Sequence, residues 1–111
     1  MSTNAIIHIK DKGKTLVSIY KHWDGYVDGG VGDDILKFIK PFTILNGLPL
    51  TANMGEVANG MGCFAAQLIK ELKTCAGDVS IIPAGSINMG EEYRYSIYQE
   101  GQKLVCTHHQ V

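Results

Sequence analysis

The residues best suited to chemistry lie together in His22-Trp23-Asp24-Gly25-Tyr26-Val27-Asp28-Gly29-Gly30-Val31-Gly32-Asp33-Asp34. This stretch holds the only tryptophan, four carboxylates and four glycines. Aspartates on a glycine-rich turn can give oxygen ligands to Mg²⁺ or Ca²⁺, but their spacing is not that of an EF-hand. The plainer expectation is that Asp24 makes an Asx-type turn with Gly25 while Asp28 and Asp33 cap a following helix. Gly29-Gly30-Val31-Gly32 ahead of a helix has the composition of a phosphate cradle. It lacks the Walker lysine and follows no strand of a βαβ unit, and its neighbouring carboxylates would repel a phosphate. Trp23 and Tyr26 are large aromatics on a loop, where such residues serve contact with a ligand or partner.

A second glycine-bearing helix start, Asn59-Gly60-Met61-Gly62, has no acid nearby and is the better anion site of the two. The alternative is steric, with the glycines letting the helix approach a sheet closely. Cys63 with His22 and Asp24 could form a Cys–His nucleophilic pair. Cys63 falls on an apolar stripe, however, so burial is its expected fate. His108 and His109 are adjacent, point to opposite faces of a strand, and read as a frayed tail. His8 is expected to face solvent or a neighbour across a hairpin. Tyr93, Tyr95 and Tyr98 read as cross-strand packing or an oligomer interface.

The elements that must position these groups follow from periodicity. Ala5 to Lys10 and Thr15 to Lys21 are short β-branched runs around the turn residues Asp11 to Lys14, which predicts a hairpin. Ile7 and Ile9 share one face, as do Val17 and Ile19, and Trp23 continues that parity to the core's edge. Val31, Ile35, Phe38 and Ile39 recur on one helical face, and Pro41 ends that helix. Residues Phe42 to Ala58 are irregular, broken by Asn46-Gly47, Pro49 and Asn53 to Glu56; Leu45, Leu48 and Leu50 suggest a loop that packs on itself. The longest helix runs from about Met61 to Lys73, with Gly77 as a C-terminal cap. Val79 to Ile82, Tyr93 to Gln99 and Lys103 to Thr107 complete the strands, separated by a Gly/Ser/Asn-rich loop at Ala84 to Gly90 and a turn at Glu100 to Gln102. The order ββααβββ carries no strand–helix–strand repeat. It predicts a single α+β domain over residues 1–111, an antiparallel sheet with two helices packed on one face.

Composition narrows the function classes. The chain has 111 residues, 45% hydrophobic and 19% charged, which supports one domain with a real core. Its formal net charge is −1 and its single arginine is Arg94, so general nucleic-acid binding has little support. Cys63, Cys75 and Cys106 form neither an even set nor a C-x-x-C motif, and read as reduced thiols of a cytoplasmic protein. The opening residues lack the pattern of a signal peptide, and no apolar run approaches the ~20 residues of a membrane helix.

Three segments carry a resemblance. His22-Trp23-Asp24-Gly25-Tyr26 is followed by Gly30-Val31-Gly32-Asp33 and Leu36-Lys37-Phe38-Ile39. Asn59-Gly60-Met61-Gly62-Cys63-Phe64-Ala65-Ala66-Gln67 and Glu91-Glu92-Tyr93-Arg94-Tyr95-Ser96-Ile97 come later. Together, over roughly Ile19 to Ile97, they resemble a set of small uncharacterised proteins encoded by bacteriophages, prophages and environmental viruses. That set carries an aromatic-Asp-Gly-Tyr-Pro loop and a glycine-led alanine helix. Val27 stands here where the proline would be, which leaves the loop less rigid. The resemblance implies a phage-related origin, with a host cell's cytoplasm as its location, and no established activity.

The expectation is a non-enzymatic accessory protein that binds a partner or small ligand without a cofactor and self-associates as a homo-oligomer. His22, Trp23, Asp24, Tyr26 and Asp28 would form its contact loop, with Asn59, Gly60 and Gly62 beside them. The alternatives are a small metal-dependent or cysteine hydrolase, or a protein that sequesters a nucleotide signal of host defence.

Overall fold

The computed structural model describes residues 3–47 and 56–111. The expected packing of Leu48 and Leu50, and the breaks at Pro49 and Asn53 to Gly55, fall outside them. The chain forms β1 (Ala5–Asp11), β2 (Lys14–Lys21), α1 (Val31–Ile39), β3 (Thr43–Leu45), β4 (Val57–Asn59), α2 (Gly60–Leu72), β5 (Val79–Ile82), β6 (Tyr93–Glu100) and β7 (Lys103–Gln110). None of the described helices is long and apolar enough to cross a membrane.

β1 and β2 are joined through Lys12 and Gly13, both at positive φ (52° and 81°), the conformation that a tight two-residue hairpin turn requires. The five-stranded sheet has the order β5-β2-β1-β6-β7. It is an α+β sheet as expected, but it is mixed. β1 pairs antiparallel with β2 and parallel with β6, while β2–β5 and β6–β7 are antiparallel. The correction has a cause in the connection from β5 to β6. These strands point the same way on opposite sides of the β1–β2 hairpin, so residues 83–92 must cross the sheet rather than turn back beside it.

Strand parity gives the sheet two distinct faces. Ala5, Ile7, Ile9, Ile19, Tyr95 and Ile97 face the helices. They form one core with Val31, Ile35 and Ile39 of α1 and Met61, Phe64, Ala65, Leu68 and Leu72 of α2. Phe38, Phe42 and Phe64 make an aromatic corner, with ring centroids 4.9 to 6.3 Å apart. On the other face Ile6, His8 and Ser18 are also buried. The crossover covers them, and the Gly85 N–H donates to Ser18 Oγ at 2.9 Å.

Two further differences from the sequence reading stand out. The irregular stretch contains β3 and β4, a short parallel pair that joins Thr43 to Val57 and Leu45 to Asn59. The C-terminal histidines do not fray, because β7 pairs through Tyr95↔His108 and Arg94↔His109.

A cleft floored by a buried ion pair

β2 ends on a lysine that shares its face with core residues. Lys21 lies in register with Ala5 on one side and Val79 on the other. An ammonium placed there must find a counter-charge, and Asp78, just before β5, supplies it. Lys21 Nζ donates to the Asp78 carboxylate, and both side chains are about nine-tenths buried. The same ammonium donates to the Trp23 carbonyl at 2.9 Å. Asp78 also accepts the Trp23 N–H through Oδ1 at 3.3 Å and the His22 N–H through its carbonyl at 2.9 Å. This knot fixes Trp23, whose ring centroid lies 5.9 Å from Lys21 Nζ, within cation–π range.

The loop beyond Trp23 is folded by close backbone approaches. Asp24 has a φ of 56°, and a Cβ on Gly25 would sit 2.8 Å from that of Ala5. A side chain on Gly30 would collide with the Tyr26 carbonyl and ring, and one on Gly32 with the Val27 backbone. Tyr95 Oη, buried in the core, donates to the Gly25 carbonyl at 2.7 Å. Burial is the largest of the effects that raise this phenol's pKa.

These contacts remove the phosphate-cradle reading. The N–H groups of Val31, Gly32 and Asp33 donate to the carbonyls of Asp24, Tyr26 and Val27 at 2.7, 3.2 and 3.0 Å. The Gly29 N–H donates to the Asp33 carboxylate at 2.7 Å. The donors that an anion would need at the start of α1 are thus already engaged.

Above the ion pair opens a cleft of about 580 Å³. Trp23 and Asp24 line it from the loop, Asp34, Lys37 and Phe38 from α1, Glu71 and Leu72 from the end of α2, and Thr74 and Asp78 from the segment that follows. Trp23 is 40% exposed.

Of the residues expected to form a contact surface, Trp23 and Asp24 therefore share the cleft. His22, Tyr26 and Asp28 belong to the same loop but do not line it. His22 stacks edge-on against Tyr20 at 4.7 Å. Tyr26 donates to Asp24 Oδ1 at 3.3 Å, and that carboxylate raises the phenol's pKa. Asp28 is exposed on the outer turn.

Asn59, Gly60 and Gly62 do not join them. They open α2, whereas the cleft lies at its other end, and a helix of thirteen residues rises about 20 Å. Asn59 Oδ1 instead accepts the Gly47 N–H at 2.7 Å. The steric reading of these glycines also fails, since open space surrounds the Cβ position of both Gly60 and Gly62; Gly60 is held by its φ of 81°.

The chemistry proposed for cysteine is likewise not assembled. Cys63 lies in the first turns of α2, with its thiol 3.6 Å from Gln67 Oε1, whereas the His22 ring meets Tyr20 and Ser80. Burial pushes Cys106 up to about 11, away from a thiolate at neutral pH. Among the described residues no three His, Cys, Asp or Glu side chains converge as a metal set would.

Sequence reasoning missed Lys21, Asp78 and the end of α2. One signal was available: Lys21 shares parity with Val17 and Ile19, and a lysine on a core face needs a buried partner. No motif marks Asp78, Glu71 or Thr74. Comparison with protein-family models, with curated proteins and with solved structures found no match to this chain.

Proposed function

We propose that this protein is a non-catalytic binding module, a small accessory protein of phage type, whose cleft beside Trp23 receives a cationic group of a ligand or partner. The observation that carries this reading is the half-exposed Trp23 held over the buried Lys21–Asp78 pair at the wall of the cleft. A large aromatic left open to solvent, its backbone pinned by two hydrogen bonds and its ring lying beside the Lys21 ammonium, is pre-organised for contact, which reduces the ordering cost of binding. The charge of the cleft selects the ligand class. With Lys21 committed to Asp78, the carboxylates of Asp24, Asp34 and Glu71 outnumber Lys37. An ammonium or guanidinium group gains from those carboxylates and from the indole face. A nucleotide phosphate would meet the same carboxylates as repulsion, which weighs against sequestration of a nucleotide signal. The hydrolase alternative has no assembled nucleophile or metal set among the described residues to support it.

Trp23 is the only tryptophan, so its emission, excited at wavelengths where the five tyrosines do not absorb, reports this cleft. Titration with spermidine and with arginine amide should change its emission saturably, and ATP should not. Emission unchanged by either cation would overturn the reading. Calorimetry on Trp23→Ala should show at least a tenfold loss of affinity for the cation that binds.

A further inference from the structure

We infer that one occupant of the cleft is the lysine-bearing hairpin end of a second copy of this chain, giving head-to-tail self-association. This rests on the reading of the cleft as a binding site. The molecule is elongated, 46 by 27 by 23 Å, and its charge is divided between two concave features. The cleft carries Asp24, Asp34, Glu71 and Asp78 against Lys21 and Lys37. Away from it, the β1–β2 and β6–β7 turns lie side by side around a hollow of about 400 Å³. Lys10, Lys12, Lys14 and Lys103 surround those turns against Asp11 and Glu100. The two groups are opposite in sign and matched in size. They sit at opposite ends of β1, whose first residue neighbours Lys21 and whose last opens the turn, a span of about 20 Å at strand rise.

Shape agrees with charge. Lys12 and Gly13 form a narrow exposed tip, and positive φ at both holds them in a tight reversal. A lysine on such a tip has the length and charge to enter a cleft walled by Trp23 and the carboxylates of Asp34 and Glu71. Because donor tip and acceptor cleft are different surfaces, each union leaves one of each unused. The contact is heterologous and continues until a ring closes or the chain of copies ends. Charge on both partners makes the association dependent on salt.

The test uses two variants and their mixture. One variant carries Lys12→Glu and Lys14→Glu, the other Asp34→Lys and Glu71→Lys; all four positions are exposed, and circular dichroism confirms that each variant folds. By light scattering, the natural chain should at least double its mass with rising concentration at about 20 mM salt and return to monomer at about 500 mM. Each variant alone should stay monomeric. Their equimolar mixture should associate again, since the natural tip of one meets the natural cleft of the other and the reversed tip and reversed cleft are also opposite in charge. A natural chain that stays monomeric in low salt, or a variant that associates alone as well as the natural chain, would overturn the inference. If Trp23 emission still responds saturably to spermidine in a monomeric chain, the cleft reading stands and only the self-association falls. If Trp23 is silent as well, both fall.

Discussion

Gly30 and Gly29 are neighbours with opposite constraints. Gly29 sits at a φ of 73° with open space where a side chain would go. Gly30 has an extended backbone, and a side chain there would run into the Tyr26 carbonyl. The first constraint is conformational and modest; the second is a collision with backbone that cannot rotate away. Gly29→Ala should therefore cost about 1 kcal/mol, and Gly30→Ala about 3 kcal/mol. Urea unfolding of the two variants checks the order, and equal costs would mean that the loop yields at Gly30. The sequence marked this loop as special through its glycines, but not which glycine was indispensable. Composition does not encode close approach, which depends on where Tyr26 and Val27 turn back. The same limit hid the ion pair. Trp23 and Asp24, which line the cleft, were legible as candidates because an aromatic and an acid on a glycine-rich loop are conspicuous. Asp78 was not, because a lone aspartate ahead of a strand has no pattern.

At the scale of elements, the crossover of residues 83–92 is held to the sheet at both ends by titratable groups. At its start, the Gly85 N–H donates to Ser18 Oγ, which lies 2.7 Å from His8 Nδ1. Burial lowers the His8 pKa below 6.5, helped by Lys10 on its own strand and Arg94 on β6 and opposed by Glu91. At its end, burial alone would raise Glu91. The Arg94 guanidinium and the N–H groups of Glu91 itself, Met89 and Asn88 outweigh it and hold the carboxyl at about 2, below its ordinary 4.5.

Both shifts make acid destabilising. A histidine with a depressed folded pKa contributes stability that is present above 6.5 and is lost as pH falls from there toward the folded value. The carboxylate contributes stability that is present above 4.5 and is lost on the way down to about 2. Thermal melts should therefore show two acid phases, the first below 6.5 and the second below 4.5. His8→Gln should flatten the first phase, and Glu91→Gln the second while lowering the melting temperature at neutral pH. A first phase that survives His8→Gln unchanged would assign it elsewhere. The sequence placed His8 correctly as facing either solvent or its hairpin neighbour, and Ser18 is that neighbour. It could not reveal the crossover, because a Gly/Ser/Asn-rich connector reads alike whether it turns back or passes over a sheet.

Across the whole molecule, alternation and helical periodicity made the five longer strands and both helices legible. The three-residue strands β3 and β4 are too short to show a pattern. Strand order was hidden too, though Ala5-Ile6-Ile7-His8-Ile9 held a hint, since consecutive burial marks a strand covered on both faces. β1 is bonded on both edges, whereas among the described strands β5 and β7 each pair on one edge only. Amide hydrogen exchange should accordingly be slowest in β1 and β6 and fastest in β5 and the outer edge of β7. Faster exchange in β1 than in β7 would contradict this sheet order.

The parallel pairing of β1 with β6 also bears on how the chain is made. β1 leaves the ribosome with β2 following directly to pair along one edge, but its other edge waits until Tyr93 to Glu100 has been synthesised. During translation the hairpin thus travels with an unpaired strand edge, a condition that favours shielding by chaperones and slows commitment to the native topology.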